Sequence, residues 1–207
     1  MIRRAARVSA MVVMGALLTA CASAPLHYYT LVAPADVSAS GMAATDARAL
    51  PFEVLPVGIP AQVDQPQLVV REGAQGMAVL GSERWIAPLG DEVRSALSAD
   101  LARELHSQDV SGLPANDKPV LRIKLDVRRF ESQPGGQALI EGAWSVRLLH
   151  GAAAATLACT SQVSEPVGPG YPALVQGHQR AIARLAARIA VAGRALGAGQ
   201  AATCPRD

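Results

Sequence analysis

Aromatic side chains are scarce in this sequence. They account for 3% of its 207 residues, which leaves few platforms on which bases or sugars can stack. Cysteine is scarcer still, with Cys21, Cys159 and Cys204 the whole complement. No C-x-x-C spacing occurs, and His27, His106, His150 and His178 are scattered, so no metal site is expected. The sequence contains no G-x-S-x-G elbow, S-x-x-K, H-E-x-x-H or P-loop, and no catalytic residue is assigned from it. A serine, a histidine and an aspartate dispersed along the chain are the one catalytic arrangement left open. The apolar run Ser9 to Leu18 is ten residues long, whereas a helix that spans a bilayer needs roughly 17–25.

That short run follows Arg3, Arg4 and Arg7, the pattern of an export signal that is removed and takes no part in the fold. Discounting residues 1–20 removes three of the 19 basic residues and none of the 17 acidic ones, so the net charge moves from +2 to −1. A near-neutral domain lacks the bulk charge that nucleic-acid binders use. No nucleic-acid partner is expected.

The signal ends in Leu18-Thr19-Ala20-Cys21, which resembles the lipobox of bacterial lipoproteins. The resemblance implies a diacylglyceryl thioether on Cys21 and cleavage just before it; the other reading is an ordinary signal peptide with a cysteine near its end. Two or more acyl chains give lasting attachment where one is marginal, at about 0.8 kcal/mol per buried CH₂. No cofactor other than this covalent lipid is expected. Ala22 stands where, in the lipoproteins this resembles, an aspartate commonly causes inner-membrane retention. The expected location is therefore the outer membrane, with the domain facing the periplasm. Only Ala22 to His27 separate the lipid from Tyr28, a tether reaching little more than about 20 Å. Cys159 and Cys204 form an even remainder in a compartment that permits disulfides, and a bond between them is expected.

Residues 28–197 read as one domain and 198–207 as a flexible tail, after a signal at 1–20 and an anchor and tether at 21–27. Short strands are predicted at 28–32, 52–57, 67–71 and 77–80, with residues 33–49 a mobile surface loop. Leu89, Val93, Leu97, Leu101 and Leu105 recur every four residues after Pro88 and predict a helix that ends before Gly112. Leu121, Ile123, Leu125 and Val127 alternate with Arg122, Lys124, Asp126 and Arg128, the mark of a half-buried strand. With strands at 138–149 and 155–163 it forms an antiparallel meander. Residues 165–172 read as a loop, and 173–196 as a second helix. On that helix Val175, His178, Ile182, Leu185, Ile189 and Leu196 fall opposite Arg180, Arg184, Arg188 and Arg194. The expected fold is mixed α/β: a single domain whose mixed sheet is covered by two amphipathic helices.

The order of landmarks resembles the PqiC family of ABC-type transport auxiliary lipoproteins. The matching pieces are the lipobox, Tyr28-Tyr29-Thr30-Leu31, Val57-Gly58-Ile59-Pro60, Asp64-Gln65-Pro66-Gln67-Leu68-Val69, Arg84-Trp85-Ile86-Ala87-Pro88-Leu89, the strand pair around Trp144 and the closing helix. Two departures are Ala87, where many relatives carry an acid, and the length of the 33–49 loop. The resemblance implies a non-enzymatic lipoprotein that works with an MCE-domain protein and associated membrane components in lipid transport and envelope integrity. It also implies self-association, as a ring of copies that caps a tunnel. Other classes remain open: a structural lipoprotein that scaffolds outer-membrane or cell-wall assembly, or a periplasmic hydrolase.

Three stretches are candidate partner-binding sites. Tyr28 and Tyr29 either present an edge to a partner or pack the sheet. Trp85 is either the hot spot of a docking loop or, with Leu89, a staple that ties the helix start to the core. Arg180, Arg184 and Arg188 put like charges four apart, which repel by a few tenths of a kcal/mol; they face headgroups, an acidic partner or water.

Overall fold

The computed structural model describes residues 24–34, 49–114, 116–151 and 155–205. Cys21 and most of the 33–49 loop lie outside these residues. The chain forms strands β1 (His27–Tyr29), β2 (Phe52–Val54), β3 (Gln67–Glu72) and β4 (Gly76–Trp85), then helix α1 (Leu89–Leu105). Strands β5 (Val120–Ser132), β6 (Gln137–Leu149) and β7 (Ala155–Pro166) follow, then helix α2 (Tyr171–Gly197).

The fold is mixed α/β with two helices, as expected, but its strands form two sheets where one was predicted. One sheet has the order β1-β4-β3 and the other β2-β5-β6-β7. Parallel pairs, β1 on β4 and β2 on β5, add an outer strand to each antiparallel set. The division arises because β1 and β2, neighbours in the chain, pair with different partners. Strand β2 lies beside β5, and backbone bonds continue past it from Leu55 N to Ile123 O and from Gly58 N to Leu125 O. Pro56 between them has no N–H, which shortens the predicted 52–57 strand to Phe52–Val54. Gly58 leaves room for the Asp126 carboxylate, since a Cβ would lie 2.3 Å from Asp126 Oδ1 and the aspartate would have to turn aside. Strand β4 is longer than predicted because Gly81 and Ser82 mask the alternation that resumes at Glu83 and Trp85, both buried.

The period-two pattern of β5 holds up to Val127, where a bulge lets Arg129 take the next position opposite β6. The inward faces of both sheets share one core with the helices. All five leucine and valine positions of the α1 stripe are buried, as is the predicted apolar face of α2, which packs on α1, β6 and β7. Contact on α2 is closest at Gly177, where a Cβ would meet Val167 Cγ1 at 2.2 Å and Ala138 Cβ at 3.0 Å. Gly177→Ala is expected to lower stability by about 1–3 kcal/mol through overpacking, despite its higher helix propensity. Urea denaturation measures this, and an unchanged or raised midpoint would contradict the packing.

Candidate functional site

The parallel register of β1 on β4 places His27 opposite Glu83, Tyr28 opposite Arg84 and Tyr29 opposite Trp85. Because side chains alternate across a strand, Tyr29, Glu83 and Trp85 turn inward. Leu26, Tyr28, Arg84 and Ile86 turn outward.

Inside, the Glu83 carboxylate accepts a 2.7 Å hydrogen bond from Tyr29 Oη, and His27 Nδ1 lies 2.9 Å from its other oxygen. Burial and the neighbouring carboxylate push the Tyr29 hydroxyl up to about 12. Burial raises the Glu83 carboxyl, but the hydrogen bonds from Tyr29 and His27 outweigh it and hold the group below its ordinary value. Glu92 of α1 is also buried, where its Oε2 accepts from Thr30 Oγ1 at 2.8 Å and Leu31 N at 2.7 Å. This glutamate sits in the first turn of the helix. It also ties the segment after β1 to the body of the domain.

The candidate residues thus separate by environment. Tyr28 is 54% exposed, whereas Trp85 is buried and meets Phe130 edge-on with centroids 6.2 Å apart. Tyr29 and Trp85 are packing residues. The arginine ladder does not stand free: Arg184 donates to Glu165 Oε1 at 2.7 Å, and Arg180 to Glu165 Oε2 at 3.3 Å and to Pro166 O at 3.0 Å. Arg188 donates to Gln162 O at 3.1 Å. These side chains reach over β7 and clamp α2 to it. Glu165, read from sequence as a loop residue, closes the strand and receives two guanidinium groups, which hold its carboxyl below the ordinary value against the effect of burial.

Cys159 of β7 and Cys204 of the tail are joined by a disulfide across Cα atoms 5.7 Å apart. The tail therefore lies against the four-stranded sheet. Beside it, a concavity of about 530 Å³ opens on that sheet's outer face, lined by Lys124, Asp126, Arg128, Ser145 and Thr160.

Among the described residues, one serine–histidine pair is present. Ser132 Oγ lies 2.8 Å from His178 Nε2, and the imidazole stacks on Phe130 at 4.0 Å. Ser132 is 3% exposed and His178 0%, and His178 Nδ1 has no partner to orient it as a base. No substrate reaches this pair. Burial pushes the imidazole down to about 3, so between pH 6.5 and 3 the unfolded chain binds a proton that the folded protein refuses. This contribution falls with acid through that window, while the Asp100 carboxyl, raised to about 6 by burial, takes up its proton first in the folded protein and offsets part of the loss. Denaturation of the wild type and of His178→Gln at successive pH values separates the two: the stability of the wild type relative to the variant should fall as pH drops below 6.5, and a difference constant with pH would contradict it.

Among the described residues, no group of three or more His, Cys, Asp or Glu is placed to hold a metal, and no helix is long and apolar enough to cross a membrane.

No curated protein matches the chain. Among solved structures, an uncharacterised protein superposes with a TM-score of 0.62 at 19% identity, over 81% of this chain and 97% of that one. A Xanthomonas campestris protein superposes with a TM-score of 0.53 at 18% identity, over 73% of this chain and 87% of its own. At these identities the likeness shows the fold alone. The family model of the ABC-type transport auxiliary lipoprotein component, a family of transport components and not of enzymes, matches residues 29–190, from β1 into the last turns of α2. That span takes in both sheets and both helices, and the chain belongs to the family of ABC-type transport auxiliary lipoprotein components.

Proposed function

We propose that this protein is the lipid-anchored auxiliary subunit of an MCE-type lipid transport system. Cys21 holds it in the outer membrane, and the domain faces the periplasm. It acts by docking to a membrane-anchored MCE-domain partner and so supports envelope integrity, without catalysing a reaction. The observation that carries this reading is the family match over residues 29–190, which begins eight residues after the lipobox cysteine. A tether that short holds the domain at its membrane, where it can receive the end of a partner but cannot roam the periplasm. The closed Ser132–His178 pair weighs against the hydrolase alternative.

Docking draws its energy chiefly from a few aromatic and arginine anchors, whereas general acid–base catalysis most often relies on a histidine. Alanine at His27, His106 or His150, each exposed, is therefore expected to leave detergent and antibiotic sensitivity at wild-type levels. If one of these substitutions abolished function while stability, lipidation and crosslinking to the partner stayed intact, the pattern would be that of an enzyme and the docking reading would fall.

A further inference from the structure

The outward face of the β1–β4 pair is apolar, exposed and next to the anchor. Leu26 is 47% exposed, Tyr28 54% and Ile86 60%, and the register places all three with Arg84 on one face. Tyr28, Arg84 and Ile86 line a groove of about 420 Å³ walled further by Pro66 and Pro88, with Asp64 its one acid. Within it the Arg84 Nε is buried and has no hydrogen-bond partner. Arg84 as a whole is half-buried on this groove, and a guanidinium fork matches the oxygens of a phosphate.

The reach of the chain decides what covers this face. Leu26 is five residues from Cys21, a span of at most about 18 Å. Leu26 and Tyr28 belong to the face itself, so the tether that carries the lipid runs directly into it. Nor can the strand swing away, because Glu83 holds Tyr29 and Glu92 holds Leu31 to the body of the domain.

We propose that the face formed by Leu26, Tyr28, Arg84 and Ile86 rests on the membrane that holds the Cys21 lipid, with the apolar side chains at the headgroup boundary and Arg84 on a lipid phosphate. The proposal rests on the anchored reading of Cys21 given above. Tyrosine suits this depth, since its ring is apolar and its hydroxyl stays wet. One arginine against one aspartate in the groove adds little net attraction, so apolar contact sets the depth and Arg84 fixes the orientation. The remaining surface, including the concavity beside Cys204, is then turned away from the bilayer and left for a protein partner.

The test uses the lipidated full chain reconstituted into phosphatidylethanolamine and phosphatidylglycerol vesicles whose acyl chains are brominated. Tryptophan is introduced by Tyr28→Trp, by Ile86→Trp and, as a control on α2, by Val191→Trp, a position 50% exposed. Fluorescence from positions 28 and 86, after subtraction of the wild-type signal, should be quenched several-fold more than from position 191. Adding Arg84→Gln to Ile86→Trp should reduce the membrane-facing population roughly fivefold, the effect of one basic side chain at an anionic surface. Equal quenching at all three positions, in protein that floats with the vesicles, overturns the proposal. Wild-type protein that does not float overturns the anchored reading, and the proposal falls with it. A photocrosslinker at position 86 in cells separates the remaining occupant: a lipid adduct supports the proposal, whereas a protein adduct overturns it.

Discussion

Cys21→Ala is expected to abolish fatty-acid labelling and to leave the protein either uncleaved or free of the membrane after fractionation. The apolar run from Ser9 to Leu18 is ten residues, whereas spanning requires roughly 17–25. Nor is a helix among the described residues long and apolar enough to span. On the proposed lipidation of Cys21, attachment depends on acyl chains, each CH₂ of which contributes about 0.8 kcal/mol on burial. The face next to the anchor presents Leu26, Tyr28 and Ile86 as exposed large apolar side chains, too few to replace two acyl chains, so the loss should be close to complete. Label that persists on the variant, or a variant that sediments with membranes as wild type does, would sink the lipoprotein assignment of this residue.

Cys204→Ala is expected to lower stability by about 4 kcal/mol, the chain-entropy value for a loop of the 45 residues that separate the two cysteines. For a domain of this size that corresponds to a fall in Tm of roughly 8–16 °C. Cys204 is the better position to change, because it is exposed whereas Cys159 is buried in the core, where removing the sulfur would add the cost of a cavity. Reductant should lower the Tm of the wild type toward that of the variant and leave the variant unmoved. Identical melting of the two proteins in the absence of reductant would show that the bond contributes nothing.

Elements whose pattern is local were legible in the sequence. The four-residue leucine spacing of α1, the arginine-free face of α2 and the strict alternation through Leu121, Ile123, Leu125 and Val127 each repeat with the period of the element they form. The meander β5-β6-β7 followed from three successive strand patterns, and the turn between its first two strands holds Gly135 at a positive φ of 72°. What remained hidden depends on distant pairing. Nothing local shows that β1 pairs with β4 across 56 residues, from His27 to Glu83, or that β2 leaves for the other sheet.

The candidate site was legible to the same degree. Tyr28 and Tyr29 are equivalent in composition, and only the β1–β4 register separates the exposed ring from the one bonded to Glu83. Trp85 drew attention as a large aromatic, while its neighbour Ile86 is the exposed residue. The alternation Glu83, Trp85 inward and Arg84, Ile86 outward could have been read from the sequence, had Gly81 and Ser82 not interrupted it. The arginine ladder looked unpaired because its carboxylate, Glu165, lies 15 and 19 residues away from Arg180 and Arg184 on another element.

The central claim is that the lipid-anchored domain works by engaging a membrane-anchored transport partner. It is tested most directly by crosslinking intact cells, purifying this protein with its adducts and identifying them by mass spectrometry. An MCE-domain protein should be recovered with the wild type and lost with Cys21→Ala, because the partner meets the domain only where the lipid holds it. Recovery of a cell-wall synthase in its place, with no MCE-domain protein, would contradict the transport assignment and favour a scaffold.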